Sequence, residues 1–191
     1  MIFTAREKDG LPGGGGVIGQ AASPDLFAWK VEKPLFRIGH YGEMEVPQIF
    51  ELDGWWFCLF GNASRHMEPA YLATGKTGAV MGTHYVRSRS PSDPFELVED
   101  RFFGGDSVGR FYGGRFLRTR TGTPVFLAFL NHRADGSFVG QYLIRCLSGQ
   151  QGKVTYALMA DNTAWRCRTN YRQPDCCIFE QTSSGLARRC A

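Results

Sequence analysis

No apolar run in these 191 residues approaches the roughly 18 that a membrane-crossing helix needs. The opening, Met1 to Lys8, lacks the apolar core of a secretory signal, so the expected location is cytoplasmic. Dense basic blocks are missing too. The formal net charge is +4, with the Lys and Arg residues scattered, and this argues against a nucleic-acid partner. The six cysteines, Cys58, Cys146, Cys167, Cys176, Cys177 and Cys190, contain no C-x-x-C pair. No histidine follows them at zinc-finger spacing, and His66, His84 and His132 are not at metal spacing, so no metal is expected. Cys58 and Cys146 fall in apolar stretches and read as buried free thiols. Up to about residue 150 no long segment holds a helical period.

What is present is strand-like. Aromatic residues are 14% and hydrophobic residues 43% of the chain, which excludes a disordered polymer. Runs rich in Val, Ile, Phe, Tyr, Trp and Thr occur at Met1–Arg6, Val17–Ala22, Gln48–Leu52, Trp55–Phe60, Gly78–Ser88, Gly113–Arg120, Pro124–Leu130 and Ser137–Cys146. Turn signals separate them, among them Asp53-Gly54, Thr121-Gly122 and Asp135-Gly136. The fold class is therefore all-β and antiparallel.

A weak repeat sharpens this. Ala22-Ser23-Pro24-Asp25-Leu26-Phe27 recurs loosely as Arg89-Ser90-Pro91-Ser92-Asp93-Pro94-Phe95, and the hairpin at Asp53-Gly54 recurs at Thr121-Gly122. One period for both markers predicts repeated four-stranded sheets, the blades of a β-propeller. Residues 1–150 would hold about two to three blades, too few for a ring of the usual 4–8. Unpaired blade edges then favour self-association. Residues 151–191, rich in Cys and Arg, read as an irregular C-terminal extension.

Two phosphate-loop look-alikes carry no cofactor. Gly14-Gly15-Gly16-Val17-Ile18-Gly19 fits G-x-G-x-x-G but opens no helix, and Gly75-Lys76-Thr77 lacks the earlier glycine, whose place Ala70 takes.

The chemistry points to Glu45. It lies in HYGEMEVPQIFELDGWWFCLFG, residues 40–61, as an acid at the mouth of a hairpin backed by aromatics. Such a setting suits proton transfer to a sugar oxygen. Glu43, two residues earlier, is the competing acid. Trp55 and Trp56 point to opposite faces if extended, so one is core and the other a sugar platform or a plain surface aromatic. We take Trp56 as the platform. His40 lines the site or is a loop histidine. Asp25 reads as a turn cap.

Three motifs in order resemble those of the five-bladed propeller glycoside hydrolases of families 32, 68 and 43, relatives of invertase, levanase, levansucrase and arabinanase. They are Ser23-Pro24-Asp25-Leu26-Phe27-Ala28-Trp29, Glu45-Val46-Pro47, and Asp106 followed by Phe111-Tyr112. The resemblance covers roughly residues 1 to 145. It implies a partial five-bladed propeller that handles sucrose-like, fructan-like or other glycosides. Glu45 would be the general acid/base, and Asp106 and Tyr112 would line the sugar pocket. The family's Arg-Asp-Pro is absent, and Met1-Ile2-Phe3-Thr4-Ala5-Arg6 looks like the strand that follows it. Glycoside hydrolysis needs two carboxylates. The resemblance therefore implies an N-terminally truncated member with little or no activity of its own. The alternative is a noncatalytic carbohydrate-binding or structural propeller module.

Overall fold

The structure is a computed structural model. It describes residues 1–10, 13–75, 81–98, 104–105, 110–132, 135–150, 153–157, 177–182 and 185–190. The first compact unit is Met1–Ala157 and the second Leu158–Ala191.

Three antiparallel sheets build the first unit. The first holds β1 (Ile2–Arg6), β2 (Gly16–Ala22), β3 (Lys30–Val31) and β4 (Phe36–Arg37), with β1, β3 and β4 all paired to β2. The second holds β5 (Glu45–Leu52), β6 (Trp55–Asn62), β7 (Gly82–Ser88), β8 (Glu96–Leu97) and β9 (Gly104–Gly105). The third runs in order through β10 (Arg110–Arg118), β11 (Pro124–His132), β12 (Phe138–Gln150) and β13 (Lys153–Ala157). Between β6 and β7 lie a single 3-10 turn, Ser64–His66, and a short helix α1 (Pro69–Ala73). Pro69 starts the helix, where a missing N–H does no harm. Among the described residues no helix is long and apolar enough to cross a membrane.

The second unit contains a hairpin of β14 (Cys177–Thr182) and β15 (Gly185–Cys190). An irregular tail was expected there. The backbone pairing of these strands uses no hydrophobic alternation, which is why the sequence pattern did not show it.

The eight sequence-derived strands correspond to β1, β2, β5, β6, β7, β10, β11 and β12. Residues 78–80 of the expected Gly78–Ser88 strand lie outside the described residues. Asp53-Gly54 closes the β5–β6 hairpin with Leu52 opposite Trp55. Both turn residues have positive φ, 51° and 73°, the requirement of the two-residue turn that matches strand twist.

The apolar run Trp-Trp-Phe-Cys-Leu-Phe has a simple cause. The second sheet is covered on both faces, and successive side chains alternate between them. Phe57 and Leu59 join Phe50, Tyr85, Phe116 and Phe126 in a core shared with the third sheet. Cys58 and Phe60 join Ile18, Phe36, Tyr41 and Met44 in a core shared with the first. Phe50 and Phe116 stack with ring centroids 4.1 Å apart. Burial pushes the Cys58 thiol up to about 12, so it stays protonated and inert.

The repeat is physical as well as textual. β3 and β8 start 66 residues apart, and each pairs with the strand that precedes it. β4 pairs back to β2 as β9 pairs back to β7. Polar contacts between the second and third sheets join residues one period apart. The Gln48 amide donates to the Phe116 carbonyl at 2.8 Å and accepts from the Phe116 N–H at 2.7 Å, 68 residues away in sequence. This side chain acts as a stretch of strand edge between two sheets. Replacing Gln48 by alanine would leave both backbone groups without that partner. The expected cost is about 1–3 kcal/mol, read from a urea denaturation curve.

Candidate active site

Glu45 begins β5 beside a break in the β5–β6 ladder, between the Glu45–Gly61 and Gln48–Leu59 pairs. Val46, the residue of irregular register, has φ 46°. A β-branched residue in the left-handed region is a strained outlier. Pro47 follows and donates nothing to the ladder. The bulge turns the Glu45 carboxylate out of the regular alternation, a common device for re-aiming a side chain.

The same device recurs one period later. In β10 the register breaks on either side of Tyr112, and Gly113 has φ 60°. Glycine relieves here the strain that Val46 carries. The two bulged positions meet: the Tyr112 hydroxyl donates a short hydrogen bond to Glu45 Oε2, across 67 residues of sequence. Arg115 donates to the Val46 carbonyl and fixes the bulge from the third sheet. A Val46→Gly substitution removes the strain but adds freedom to the unfolded chain. Its expected net effect is a gain of up to about 1 kcal/mol, visible as a raised urea midpoint.

Glu43 and His66 complete the group. His66 Nδ1 lies 2.6 Å from Glu43 Oε2 and 3.9 Å from Glu45 Oε1. The 2.6 Å approach is not aligned as a hydrogen bond and acts as a close polar contact. Arg65 Nε donates to His66 Nε2 at 3.1 Å, which assigns the ring hydrogen to Nδ1, the side facing the carboxylates. Arg6 Nη2 pairs with Glu43 Oε1 at 2.6 Å. Glu43 is thus held between Arg6 and His66, while Glu45 takes its hydrogen bond from a neutral phenol. The two acids differ in their partners: Glu43 meets two basic side chains, and Glu45 meets a phenol.

Glu43, Glu45 and His66 each place a ligand atom within 4.8 Å of the others, a set that could hold a divalent cation. Arg6 and Arg65 already bring positive charge to the same group.

Burial raises the Tyr112 phenol well above its ordinary value, and the Glu45 carboxylate beside it raises it further. A group raised in this way supports the fold below its unfolded pKa of about 10 and loses that support as pH climbs through the folded value. Glu45→Gln is therefore expected to bring the Tyr112 titration down, though not back to its ordinary value, because burial remains. Ultraviolet difference titration against wild type reads this shift.

The other expected site residues are distributed differently. Asp106 lies outside the described residues. Trp56 stands away from the group. It pairs with Glu51 near the Asp53-Gly54 end, five residues along β6 from Gly61, the partner of Glu45. At strand rise this is about 17 Å. Trp55 is covered by the guanidinium groups of Arg87 and Arg89, 4.6 and 3.5 Å from its ring. Of the two readings of His40, its position fits the loop histidine. It stacks on Tyr71 at 4.3 Å and faces Glu68, in a separate shallow depression that Ala70 and Thr74 also line. Asp25 caps its turn, accepting the Phe27 and Ala28 N–H groups at 2.9 Å, and these bonds lower its pKa.

His66, Arg6 and Arg65 were not selected from sequence. His66 is 21 residues from Glu45, and only the route of the chain between β6 and β7 returns it to the carboxylates. Glu43 was visible as the rival acid, but its partners were not.

No protein-family model matches the chain, and no curated protein matches it in sequence. Solved structures do. The chain is similar to the inulosucrase of Halalkalicoccus jeotgali bound to kestose, with TM-score 0.61 and 13% identity over 76% of this chain and 40% of that one. It is similar to Bacillus subtilis levansucrase, with TM-score 0.53 and 16% identity over 75% of this chain and 34% of that one. A B. megaterium levansucrase variant gives TM-score 0.53 and 15% identity over 76% and 34%. The chain spans 34–40% of the length of these structures. At such identities the likeness is one of fold: over three quarters of its length the chain has antiparallel blades of the five-bladed β-propeller type seen in inulosucrase and levansucrase.

Proposed function

We propose that this chain carries the proton-donor side of a fructosyl-sugar site, with Glu45 as the general acid/base. The observation that supports this most is the pair of bulges one period apart, which turns Glu45 and Tyr112 toward each other. Strained backbone at a carboxylate is a feature of sites that must hold a group in one geometry. The solved neighbours add the substrate class: their ligands are kestose for the inulosucrase and sucrose for a levansucrase.

In the proposed step a glycosidic oxygen lies against Glu45 Oε1, and Glu45 gives it a proton as the bond to the fructosyl carbon breaks. Tyr112 holds the other carboxylate oxygen and fixes its direction. Arg65, hydrogen-bonded to His66 Nε2, brings positive charge beside it. Glu43 is not the second carboxylate of this chemistry, because Arg6 and His66 occupy it. A nucleophile must therefore come from outside the described group, and turnover by the chain alone is expected to be slow compared with sugar binding.

The test is calorimetric titration of the chain with kestose and with sucrose, together with release of reducing sugar from sucrose. Saturable binding that Glu45→Gln and Tyr112→Phe both weaken supports the reading. Binding that neither variant changes, or sucrose turnover that Glu45→Gln leaves untouched, rejects it.

A further inference from the structure

The glycine-rich segment after β1 leads into a strand, β2, which starts at Gly16. Its glycines meet two other stretches of backbone. The Gly16 N–H donates to the Tyr41 carbonyl at 2.8 Å. Tyr41 also forms an isolated antiparallel bridge with Met67. Around that bridge the Gly42 N–H donates to the His66 carbonyl at 2.5 Å, and the Glu68 N–H donates to the His40 carbonyl at 3.0 Å.

This crossing leaves no room for side chains. A Cβ at Gly13 would lie 2.6 Å from the Met67 carbonyl oxygen and 2.9 Å from Glu68 Cα. At Gly42 it would lie 2.8 Å from the His66 carbonyl oxygen and 3.2 Å from Gly13 Cα. At Gly16 it would lie 2.6 Å from the Tyr41 carbonyl oxygen and 2.9 Å from the Glu43 nitrogen. Every obstacle is backbone, which cannot swing aside as the end of a long side chain can. Gly39, three residues before Gly42, meets nothing within 4 Å, so the closeness belongs to the crossing and not to loop glycines in general.

Two residues of the acid group leave directly from the crossing. Glu43 follows Gly42 in the chain. His66 supplies the carbonyl that Gly42 binds, and its Nδ1 lies 2.6 Å from Glu43 Oε2. His66 belongs to neither β6 nor β7 but to the 3-10 turn between them, so no sheet ladder holds it.

We propose that Gly13, Gly16 and Gly42 are positioning residues: by letting three backbones touch, they set His66 against Glu43. The glycine-rich segment is then part of the site through Met67 and Glu68. What the positioning serves rests on the sugar reading of Glu45. The positioning itself does not, and it is tested without a sugar.

Proton NMR of the histidine rings at one fixed pH tests it, with the His66 signal assigned by its loss in His66→Gln. In the wild-type chain Glu43→Gln is expected to move the His66 signal, because the two side chains are in contact. In Gly13→Ala the His66 signal is expected to stand elsewhere, and Glu43→Gln to lose most of its effect on it. Gly54→Ala is the matched control. Gly13 and Gly54 have φ 76° and 73°, so alanine meets the same backbone cost at both, but at Gly54 a Cβ meets nothing within 4 Å. Gly54→Ala is expected to lower the melting temperature and to leave the response of His66 at its wild-type size. A His66 signal that Glu43→Gln leaves unmoved in the wild-type chain overturns the proposal. So does a response that survives in Gly13→Ala, or one lost equally in Gly54→Ala. If Gly13→Ala does not fold, the wild-type chain labelled with 13C-glycine decides. Nuclear Overhauser contacts from the Gly13 Hα protons to Glu68 Hα are expected, and their absence overturns the proposal.

Discussion

Phe126→Ala is expected to cost about 3–5 kcal/mol, a large fraction of the roughly 5–15 kcal/mol available to a domain of this kind. Phe126 is fully buried in the core between the second and third sheets. Its ring fills the space above Gly114, where an ideal Cβ would lie 2.3 Å from it. Truncation removes that ring from a contact between two sheets, and neither sheet can close the gap without dragging its hydrogen-bonded neighbours. The loss should appear as a fall in urea midpoint with little change in slope. Phe27→Ala is the control: at an exposed position the same truncation should fall within about 0.5 kcal/mol in the monomer.

Glu45→Gln should have the largest chemical effect. Loss of a positioned general acid typically lowers a rate by about 10²–10⁴-fold. That loss should depend on the leaving group. Sucrose releases an alcohol that needs a proton, so its cleavage should carry the full loss. Fructosyl fluoride releases fluoride with little need of one, so its cleavage should be reduced much less. Equal loss on both substrates would instead assign Glu45 to binding or folding. Glutamine keeps the size of the side chain and can still meet the Tyr112 hydroxyl, so the fold should survive.

Much of the fold was legible because it is local or periodic. Asp53-Gly54 names its own turn, since both positions need positive φ. The run Trp55 to Phe60 names a strand covered on both faces. The Ser-Pro motif and the two hairpins named the period, and the contacts of Gln48 with Phe116 and of Glu45 with Tyr112 then followed it. The site was only partly legible. Glu45 stood out by its hairpin and by Pro47, but the left-handed Val46 has no sequence signal, because valine disfavours that conformation. Arg6 and His66 reach Glu43 across 37 and 23 residues, which no spacing rule anticipates. Trp56 stands at the turn end of the hairpin, because the strand that leaves the turn reaches Gly61, the partner of Glu45, only five residues later. His40 lies in the loop before Glu45, and the chain there turns its ring onto Tyr71.

The central claim is that Glu45, held by Tyr112, is where a fructosyl sugar meets this chain. Carboxyl-13C NMR of glutamate-labelled protein tests it most directly, with the Glu45 and Glu43 signals assigned by their loss in Glu45→Gln and Glu43→Gln. Addition of kestose is predicted to move the Glu45 signal in a saturable way, and Tyr112→Phe to weaken that response. A Glu45 signal that kestose leaves unmoved, while Glu68 beside His40 responds instead, would contradict the account.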